Sequence, residues 1–253
     1  MKKICIFNQK GGVGKTTISV NLSTCLAMEG YNVLVIDIDP QGNTTSGLGI
    51  NKNEIDKSIY DVITGDEKLD DVIIKSQFMS TLHIAPSTVD LAGAEVELIE
   101  REKRELILRN KIQELEGKFD FIFIDCPPSL SFLTVNALTA CDSVLIPIQC
   151  EFYALEGVGQ LVNTIQLIKK SLNRNIEIEG VIISMYDART NLSNDVVEEV
   201  RKYFKEKVYE NIIPRNIKLA ESPSHGLPIM LYDSRCRGAQ AFEKLTKEFL
   251  DKQ

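Results

Sequence analysis

Several features that would place the chain in a membrane, secreted or metal-binding class are missing from its 253 residues. No run of about 18 uninterrupted apolar residues occurs, which argues against a membrane-spanning helix. The N-terminal stretch MKKICIF turns polar at Asn8 and has no apolar core long enough for a signal peptide, so we expect a cytoplasmic protein. Neither His83 nor His225 has a partner at metal-ligand spacing, and we expect both to serve packing or loop hydrogen bonds.

The six cysteines show no spacing that would form a zinc site or a disulfide framework. No pair has the C-x-x-C spacing, and most of the six lie inside apolar stretches, at positions 5, 25, 126, 141, 150 and 236. We therefore expect free, buried thiols.

Composition and charge are those of an ordinary acidic globular protein. Hydrophobic residues make up 43% of the chain and charged residues 26%, which excludes disordered and collagen-like classes. The net charge of −7 argues against a generic nucleic-acid binder. The acidic excess lies in residues 1–168, however, whereas residues 169–253 are slightly basic, which leaves room for a local basic patch.

Short apolar strands alternate with helical patterns along the chain. Near-continuous apolar runs, typical of parallel strands buried on both faces, occupy residues 3–7, 31–37, 81–85, 119–125, 143–148 and 178–184. Helical patterns occupy residues 15–29, 95–116, 154–173, 194–206 and 236–251. The alternation predicts one α/β domain over residues 1–253, with a doubly wound, mostly parallel sheet flanked by helices. We expect the charge-dense part of 95–116 to be a solvated helix face.

The first predicted strand runs into the glycine-rich segment NQKGGVGKTT, residues 8–17, where a helix begins. A strand, a glycine-rich turn and a helix N-terminus together form a phosphate-binding loop, because backbone N–H groups and the helix dipole converge on the anion. In such a loop Lys15 reaches the β- and γ-phosphates, and the Thr16 hydroxyl lies on Mg²⁺. The other predicted nucleotide-binding residues of the loop are Lys10, Gly11, Gly12, Val13, Gly14 and Thr17.

The loop departs from the ordinary pattern G-x-x-x-x-G-K-S/T in an informative way. Gln9 stands where that pattern has glycine, and Lys10 adds a second lysine, which together give the deviant Walker A signature. A dinucleotide fingerprint fits worse, because it requires glycine where the chain has Thr17. No N-K-x-D motif of the guanine-binding kind is present.

With these motifs the chain resembles the ParA/Soj family of chromosome- and plasmid-partition ATPases. That family belongs to the deviant Walker class of P-loop NTPases, which also holds the septum-site protein MinD and the nitrogenase iron protein. The resemblance runs nearly end to end, through residues 8–17, 37–50, 125–138, 147–157, 185–191 and 213–226. It implies an Mg²⁺-dependent ATPase that forms ADP and phosphate. Because the chain starts directly at its first strand, we expect no N-terminal helix-turn-helix extension.

The same resemblance assigns roles to individual residues. Asp39, past the end of the second predicted strand, is implied to orient the attacking water, a task that suits a carboxylate. Asp37 is the weaker candidate and is expected to be structural or to act through a residue that binds the ligand. Asp125 ends an apolar strand, is the implied Walker B aspartate, and is expected to bind Mg²⁺ through water. Lys10 is implied to cross the interface of an ATP-sandwich dimer and to contact the partner's phosphates in place of an arginine finger.

The C-terminal third carries the implied base and DNA contacts. By family match, Pro214 and Asn216 line the adenine, with Met185 as a weaker candidate. In related partition ATPases, basic residues in these regions bind DNA, and the candidates here are Arg189, Arg215 and Lys218. No base-reading set is evident, so the implied DNA binding is independent of sequence.

The leading hypothesis is a partition switch in which an ATP-bound homodimer binds nucleoid DNA and a ParB-type partner stimulates hydrolysis and release. The alternative is a membrane-cycling ATPase of the MinD kind, which needs an amphipathic C-terminal helix with a basic face. The tail, residues 238–253, is amphipathic but its charges balance, so we expect it to pack on the sheet without a membrane partner. A redox ATPase like the iron protein needs cluster-spaced cysteines, which Cys126 and Cys150 do not provide.

Overall fold

The computed structural model describes residues 1–151 and 156–253, which form seven strands. These are β1 (Lys2–Ile6), β2 (Val33–Asp37), β3 (Ile74–Lys75), β4 (Leu82–Ala85), β5 (Phe121–Asp125), β6 (Ser143–Gln149) and β7 (Glu177–Ser184). They make one sheet in the order β3-β4-β2-β5-β1-β6-β7. Every pairing is parallel except that of β3 with β4.

Helices connect the strands. The α-helices are α1 (Lys15–Met28), α2 (Asn43–Gly47), α3 (Ile59–Thr64), α4 (Leu69–Val72), α5 (Leu91–Glu97), α6 (Ile107–Gln113), α7 (Phe132–Ala140), α8 (Glu156–Ser171), α9 (Asn191–Phe204), α10 (Ile217–Glu221), α11 (Ile229–Tyr232) and α12 (Arg237–Asp251). Short 3₁₀ turns lie at Lys52–Glu54, Arg104–Leu106, Lys205–Lys207 and Ser222–His225.

Both faces of the sheet are covered, because successive residues from β1 onward alternate between two apolar cores. Cys5 and Phe7 belong to the core that includes residues of α6, α7 and α8. Ile4 and Ile6 belong to the core that includes residues of α1 and α12. All four residues are fully buried. The prediction of a doubly wound, mostly parallel sheet flanked by helices is confirmed, and the extent of one domain over residues 1–253 stays a prediction.

The C-terminal helix α12 turns its apolar side into the second of these cores. Phe242, Leu245 and Phe249 are each 0% exposed. The ring of Phe249 lies 5.5 Å from that of Phe121 on β5 in an edge-to-face arrangement. The predicted packing of this helix on the sheet is confirmed.

The predicted helix over 95–116 is wrong in its middle. α5 ends at Glu97 and α6 begins at Ile107, and between them Lys103 adopts a φ of +53°. The Arg101 guanidinium donates to the carbonyl oxygens of Ile63 and Thr64, both at 2.9 Å. The charged stretch is therefore partly a turn that is pinned to the α3 region, rather than one solvated helix face.

Other boundaries were predicted within a few residues, but seven elements were missed, namely β3, α2, α3, α4, α7, α10 and α11. The antiparallel β3 has only two residues, and α7 lies between the predicted strands 119–125 and 143–148. The predicted helix 154–173 and the motif 147–157 both reach into residues 152–155, which lie outside the described residues.

Gly180 in β7 leaves room for the buried ring of Tyr209. A Cβ at position 180 would lie 2.5 Å from Tyr209 Cε2 and 3.0 Å from the carbonyl oxygen of Lys207. We therefore expect Gly180→Ala to lower the free energy of unfolding by about 1–3 kcal/mol, as overpacking does, in urea denaturation.

The matched control is Gly159→Ala in α8, where no described atom lies within 4 Å of the added Cβ. It should raise the free energy of unfolding by about 0.5–1 kcal/mol through helix propensity. Equal stability of Gly180→Ala and the parent would contradict the close contact with Tyr209.

Candidate nucleotide site

The phosphate loop joins β1 to α1 and is wrapped around the ammonium group of Lys15. Gly12 and Gly14 adopt φ values of +76° and +92°, in the left-handed region that favours glycine. Lys15 is 7% exposed, and its Nζ donates to the carbonyl oxygens of Asn8 at 3.0 Å and Lys10 at 3.1 Å. Burial lowers the pKa of Lys15. The loop therefore holds a fixed cation at the N-terminus of α1, where an anion is favoured.

Asp125, at the carboxyl end of β5, is a buried carboxylate held by three hydroxyl groups. Its Oδ2 accepts from Thr16 Oγ1 at 3.0 Å and from Thr44 Oγ1 at 2.6 Å, and its Oδ1 accepts from Ser19 Oγ at 2.8 Å. Burial raises the pKa of Asp125, and the hydroxyl bonds oppose that rise. The structure thus brings the two predicted magnesium ligands, Thr16 and Asp125, into direct contact.

Asp37 lies beside Asp125, since the register of β2 and β5 pairs the two residues. It is 0% exposed, and burial, followed by the charge of Asp125, raises the pKa of Asp37 to about 7. Its Oδ2 accepts from Thr45 N at 2.8 Å and Thr45 Oγ1 at 2.7 Å, and its Oδ1 accepts from Asp39 N at 3.2 Å. Asp37 therefore supports the turn that carries Asp39, as expected for a structural residue.

Asp39 lines a pocket of about 400 Å³ together with residues of the phosphate loop. Its Oδ1 accepts from Gln41 N at 2.9 Å, and its carbonyl oxygen accepts from Gly42 N at 2.8 Å, which closes the turn. The same pocket is lined by the predicted residues Gly11, Gly12, Gly14, Lys15, Thr16 and Thr17. The structure therefore places a carboxylate and the phosphate loop in the lining of one pocket.

A second pocket, of about 380 Å³, adjoins the first and shares with it Gly14, Thr17 and Met185. Apolar residues line much of it, including Ile18, Ile213, Pro214 and Leu219. Asn216 also lines it, and its Oδ1 accepts from the backbone N–H groups of Lys218 and Leu219 at the start of α10. The predicted base residues Pro214 and Asn216 are therefore placed next to the phosphate loop.

The two pockets fit a nucleoside polyphosphate with Mg²⁺. The first offers the Lys15 ammonium group to phosphate oxygens, and hydroxyl and carboxylate oxygens from Thr16 and Asp125 are the hard ligands that Mg²⁺ prefers. The second offers apolar walls to a planar base.

Lys10, the predicted signature lysine, has its ammonium group bound to a carboxylate of its own chain. Its Nζ lies 2.8 Å from Glu151 Oε2, and the two side chains are 38% and 49% exposed. This ion pair holds the Lys10 side chain at the surface of the described structure.

The other site classes gain no support from the described residues. Within them, no group of three or more His, Cys, Asp and Glu side chains could hold a metal ion. Cys126 and Cys150 are 1% and 8% exposed, and burial raises the pKa of the Cys150 thiol to about 11. None of the helices in 1–151 and 156–253 is long and apolar enough to cross a membrane.

Comparison with known proteins gives consistent relatives. A family model described as an AAA domain matches residues 1–178. The sporulation initiation inhibitor protein Soj of Bacillus subtilis is 56% identical over 247 residues, which are 98% of this chain and 97% of that protein. The chromosome partitioning protein ParA of Myxococcus xanthus is 49% identical over 247 residues, 98% of this chain and 87% of that protein. This chain belongs to the Soj/ParA family of chromosome-partitioning ATPases.

A solved structure shows the same likeness in three dimensions. Cobyrinic acid a,c-diamide synthase from Mycobacterium smegmatis, with bound ADP and magnesium, superposes with a TM-score of 0.86 at 34% identity. The match covers 99% of this chain and 94% of that one. The predicted cofactors, ATP or ADP with Mg²⁺, are of the kind that this neighbour holds.

The basic residues that the Soj/ParA resemblance assigns to DNA are exposed or half-buried, and two of them have carboxylate partners. Arg189 pairs with Asp187 at 2.6 Å and holds the pKa of that carboxyl well below its usual range. Lys218 pairs with Glu221 at 3.1 Å. Arg215 lines the base pocket, and its backbone N–H donates to the carbonyl oxygen of Tyr186. That bond joins the two predicted DNA segments.

Sequence reasoning missed the hydroxyl residues that complete this Soj/ParA site. Thr44 and Ser19 bind Asp125, and Thr45 binds Asp37. Ser184, at the end of β7, donates to the carbonyl oxygen of Val13 at 2.7 Å and ties the sheet to the phosphate loop. A usable signal exists for the threonines, because they follow a strand-end aspartate closely in the motif at 37–50.

We expect Lys15→Ala to weaken ADP binding by about 10- to 100-fold, because hydrogen bonds from a cation to phosphate oxygens are lost. Isothermal titration calorimetry measures this loss. The control is Lys202→Ala on α9, whose exposed ammonium group pairs with Glu199 and lies on no pocket named above. Unchanged ADP affinity in Lys15→Ala would contradict the assignment of residues 8–17 as a phosphate-binding loop.

Proposed function

We propose that the chain is the ATPase of a chromosome or plasmid partition system. In this proposal two subunits enclose ATP between them, and the homodimer binds nucleoid DNA in the cytoplasm without sequence preference. A ParB-type partner stimulates hydrolysis to ADP and phosphate and thereby releases the DNA. The observation that carries the proposal is that Lys15, Thr16 and Asp39 line one pocket, with Asp125 bonded to Thr16. The names of the B. subtilis and M. xanthus relatives support the cellular role.

Nucleotide binding rests on groups that are already in place. Lys15 and the loop N–H groups bind the phosphates, while Thr16 and Asp125 hold Mg²⁺, which neutralises phosphate charge when bound. Pro214 and Asn216 face the adenine in the adjoining pocket. Because the Lys15 ammonium group is buried against carbonyl oxygens, its charge is held in position before the ligand arrives.

Hydrolysis needs a water in line with the bond between the β- and γ-phosphates. Asp39 accepts a hydrogen bond from that water and turns its lone pair toward phosphorus. The carboxylate is suited to this task because Gln41 N–H and the turn closed by Gly42 N–H fix it. The new bond joins the water oxygen to the γ-phosphorus, and the bond from that phosphorus to the bridging oxygen breaks, its electron pair leaving on ADP. Both hydrogens of the water leave on the phosphate product.

Lys10 is assigned to the partner's phosphates, and its ion pair with Glu151 is the resting state of this side chain. An exposed pair of this kind contributes about 0.2–1 kcal/mol. The Lys10 side chain can therefore leave Glu151 at little cost when a phosphate of the second subunit is offered.

Asp39→Ala and Lys10→Ala separate hydrolysis from assembly. Asp39→Ala should bind ATP and accumulate as a persistent dimer, because the water is no longer oriented. Lys10→Ala should bind ATP but stay monomeric, because the charge across the interface is missing. Light scattering with ATP and Mg²⁺ measures both, with the ADP-bound parent as the monomer control. A monomeric Asp39→Ala, or a Lys10→Ala that dimerises and hydrolyses ATP like the parent, contradicts the assigned role.

DNA binding is assigned to Arg189, Arg215 and Lys218. Two of these cations carry carboxylate partners within the chain, so one subunit presents little net positive charge. A dimer doubles the number of phosphate contacts, and affinity should then fall steeply with salt.

Arg189→Ala and Lys218→Ala should each weaken ATP-dependent DNA binding on every sequence while dimerisation survives. Each substitution removes two phosphate contacts per dimer, so the slope of log K against log salt should become shallower by about 2. Lys118→Ala, which removes an exposed ion pair with Asp70, is the control. Fluorescence anisotropy at several salt concentrations measures the slope. Parent-like slopes in both variants, or equal binding of the parent without ATP, would place the DNA elsewhere.

A further inference from the structure

Thr44 is the one hydroxyl on Asp125 that, among the described residues, comes from outside α1. Thr16 and Ser19 both belong to α1, the helix that opens at the phosphate loop. Thr44 belongs to α2, is 0% exposed, and donates to Asp125 Oδ2 at 2.6 Å. The carboxylate is thus held from two sides, by the helix of the phosphate loop and by the segment that follows Asp39.

The segment between Asp39 and Thr44 has little freedom of its own. Its turn is closed by the bond from Gly42 N to the carbonyl oxygen of Asp39. Directly after Thr44, the Thr45 backbone N–H and hydroxyl both bind Asp37, and Thr45 Oγ1 accepts from Ser87 N at 2.9 Å. The segment is therefore anchored to the sheet next to Thr44, and Thr44 is its link to Asp125.

We propose that Thr44 is a positioning residue for the magnesium site: its hydroxyl orients the Asp125 carboxylate and locks the Asp39 turn to it. The contact fixes which lone pairs of Oδ2 remain for the metal or for its bound water. Residues that orient a metal's ligands in this way typically change metal affinity by about 10- to 100-fold when they are removed. Thr44 has no part in binding phosphate or base in this assignment, so its effect is confined to the metal.

The test compares ADP affinity with and without Mg²⁺ by calorimetry in the parent and in Thr44→Val, which removes the hydroxyl at nearly constant volume. Thr44→Val should lose about 10- to 100-fold of the gain in ADP affinity that Mg²⁺ gives to the parent. ADP affinity without Mg²⁺ should stay within about twofold of the parent, and Thr44→Ser, which restores the hydroxyl, should recover the Mg²⁺ response.

The chain offers a matched control at Thr139 in α7. Thr139 is 2% exposed, and its buried Oγ1 has no hydrogen-bond partner among the described residues. Thr139→Val therefore makes the same chemical change in the same degree of burial without removing a hydrogen bond, and it should bind ADP and Mg²⁺ like the parent. If Thr44→Val does not fold, Thr44→Ala removes the same hydroxyl without placing a methyl group against the carboxylate, and it is read in the same titration.

Each remaining outcome overturns the proposal. A parent-like Mg²⁺ response in Thr44→Val or Thr44→Ala removes the role of the hydroxyl. An equal loss of affinity with and without Mg²⁺ assigns Thr44 to the phosphate loop instead, and a Thr44→Ser that behaves like Thr44→Val shows that packing matters and the hydrogen bond does not. The titration needs no DNA, dimer or partner protein, so it can fail while the partition function stands. If the ADP affinity of the parent does not change with Mg²⁺, both the proposed role of Thr44 and the proposed Mg²⁺-dependent function are contradicted.

Discussion

Two carboxylates buried side by side, Asp37 and Asp125, constrain the whole nucleotide-binding edge of the sheet. Removing an anion from water costs several kcal/mol unless hydrogen-bond donors replace the solvent. The donors come from the first turns of α1 and from α2, which follows the Asp39 turn. The phosphate loop and the Asp39 turn are therefore placed by the same requirement. The position of one cannot change without leaving a buried charge unsatisfied on the other side.

The site combines buried hydrogen bonds, which keep their partners, with exposed ion pairs, whose cations can change partners. The hydroxyl bonds to Asp125 and the carbonyl bonds to Lys15 are buried or half-buried, so each is costly to break without a replacement. The partners of Lys10, Arg189 and Lys218 are carboxylates on exposed or half-exposed side chains. Those three cations are the ones assigned to a second subunit or to DNA. The division matches a switch, since the groups that must change partners are held by exposed contacts and the groups that must stay in place by buried ones.

The sheet and the phosphate loop could be predicted because their signals are local. Apolar runs marked β1, β2 and β5 within two residues, and NQKGGVGKTT identified the loop between β1 and α1. The break in the helix predicted over 95–116 could not be predicted from the neighbouring sequence. It depends on hydrogen bonds from the Arg101 guanidinium to the carbonyl oxygens of Ile63 and Thr64, which are distant in the chain. α7 was missed because it is buried on nearly all sides and shows no amphipathic period. The bond of Thr44 to Asp125 spans 81 positions of sequence, so the motif at 37–50 can mark Thr44 as a candidate but does not indicate its partner.

The ion pair between Lys10 and Glu151 has a consequence for ionic strength. Both side chains are more than a third exposed, so dissolved salt screens their attraction. A contact between Lys10 and a phosphate enclosed by two subunits is screened much less. Rising salt therefore favours transfer of Lys10 to the assembled state, while it weakens attraction to the DNA polyanion. The two steps of the proposed cycle respond to salt with opposite sign, and the share of assembled dimer that carries no DNA increases with ionic strength.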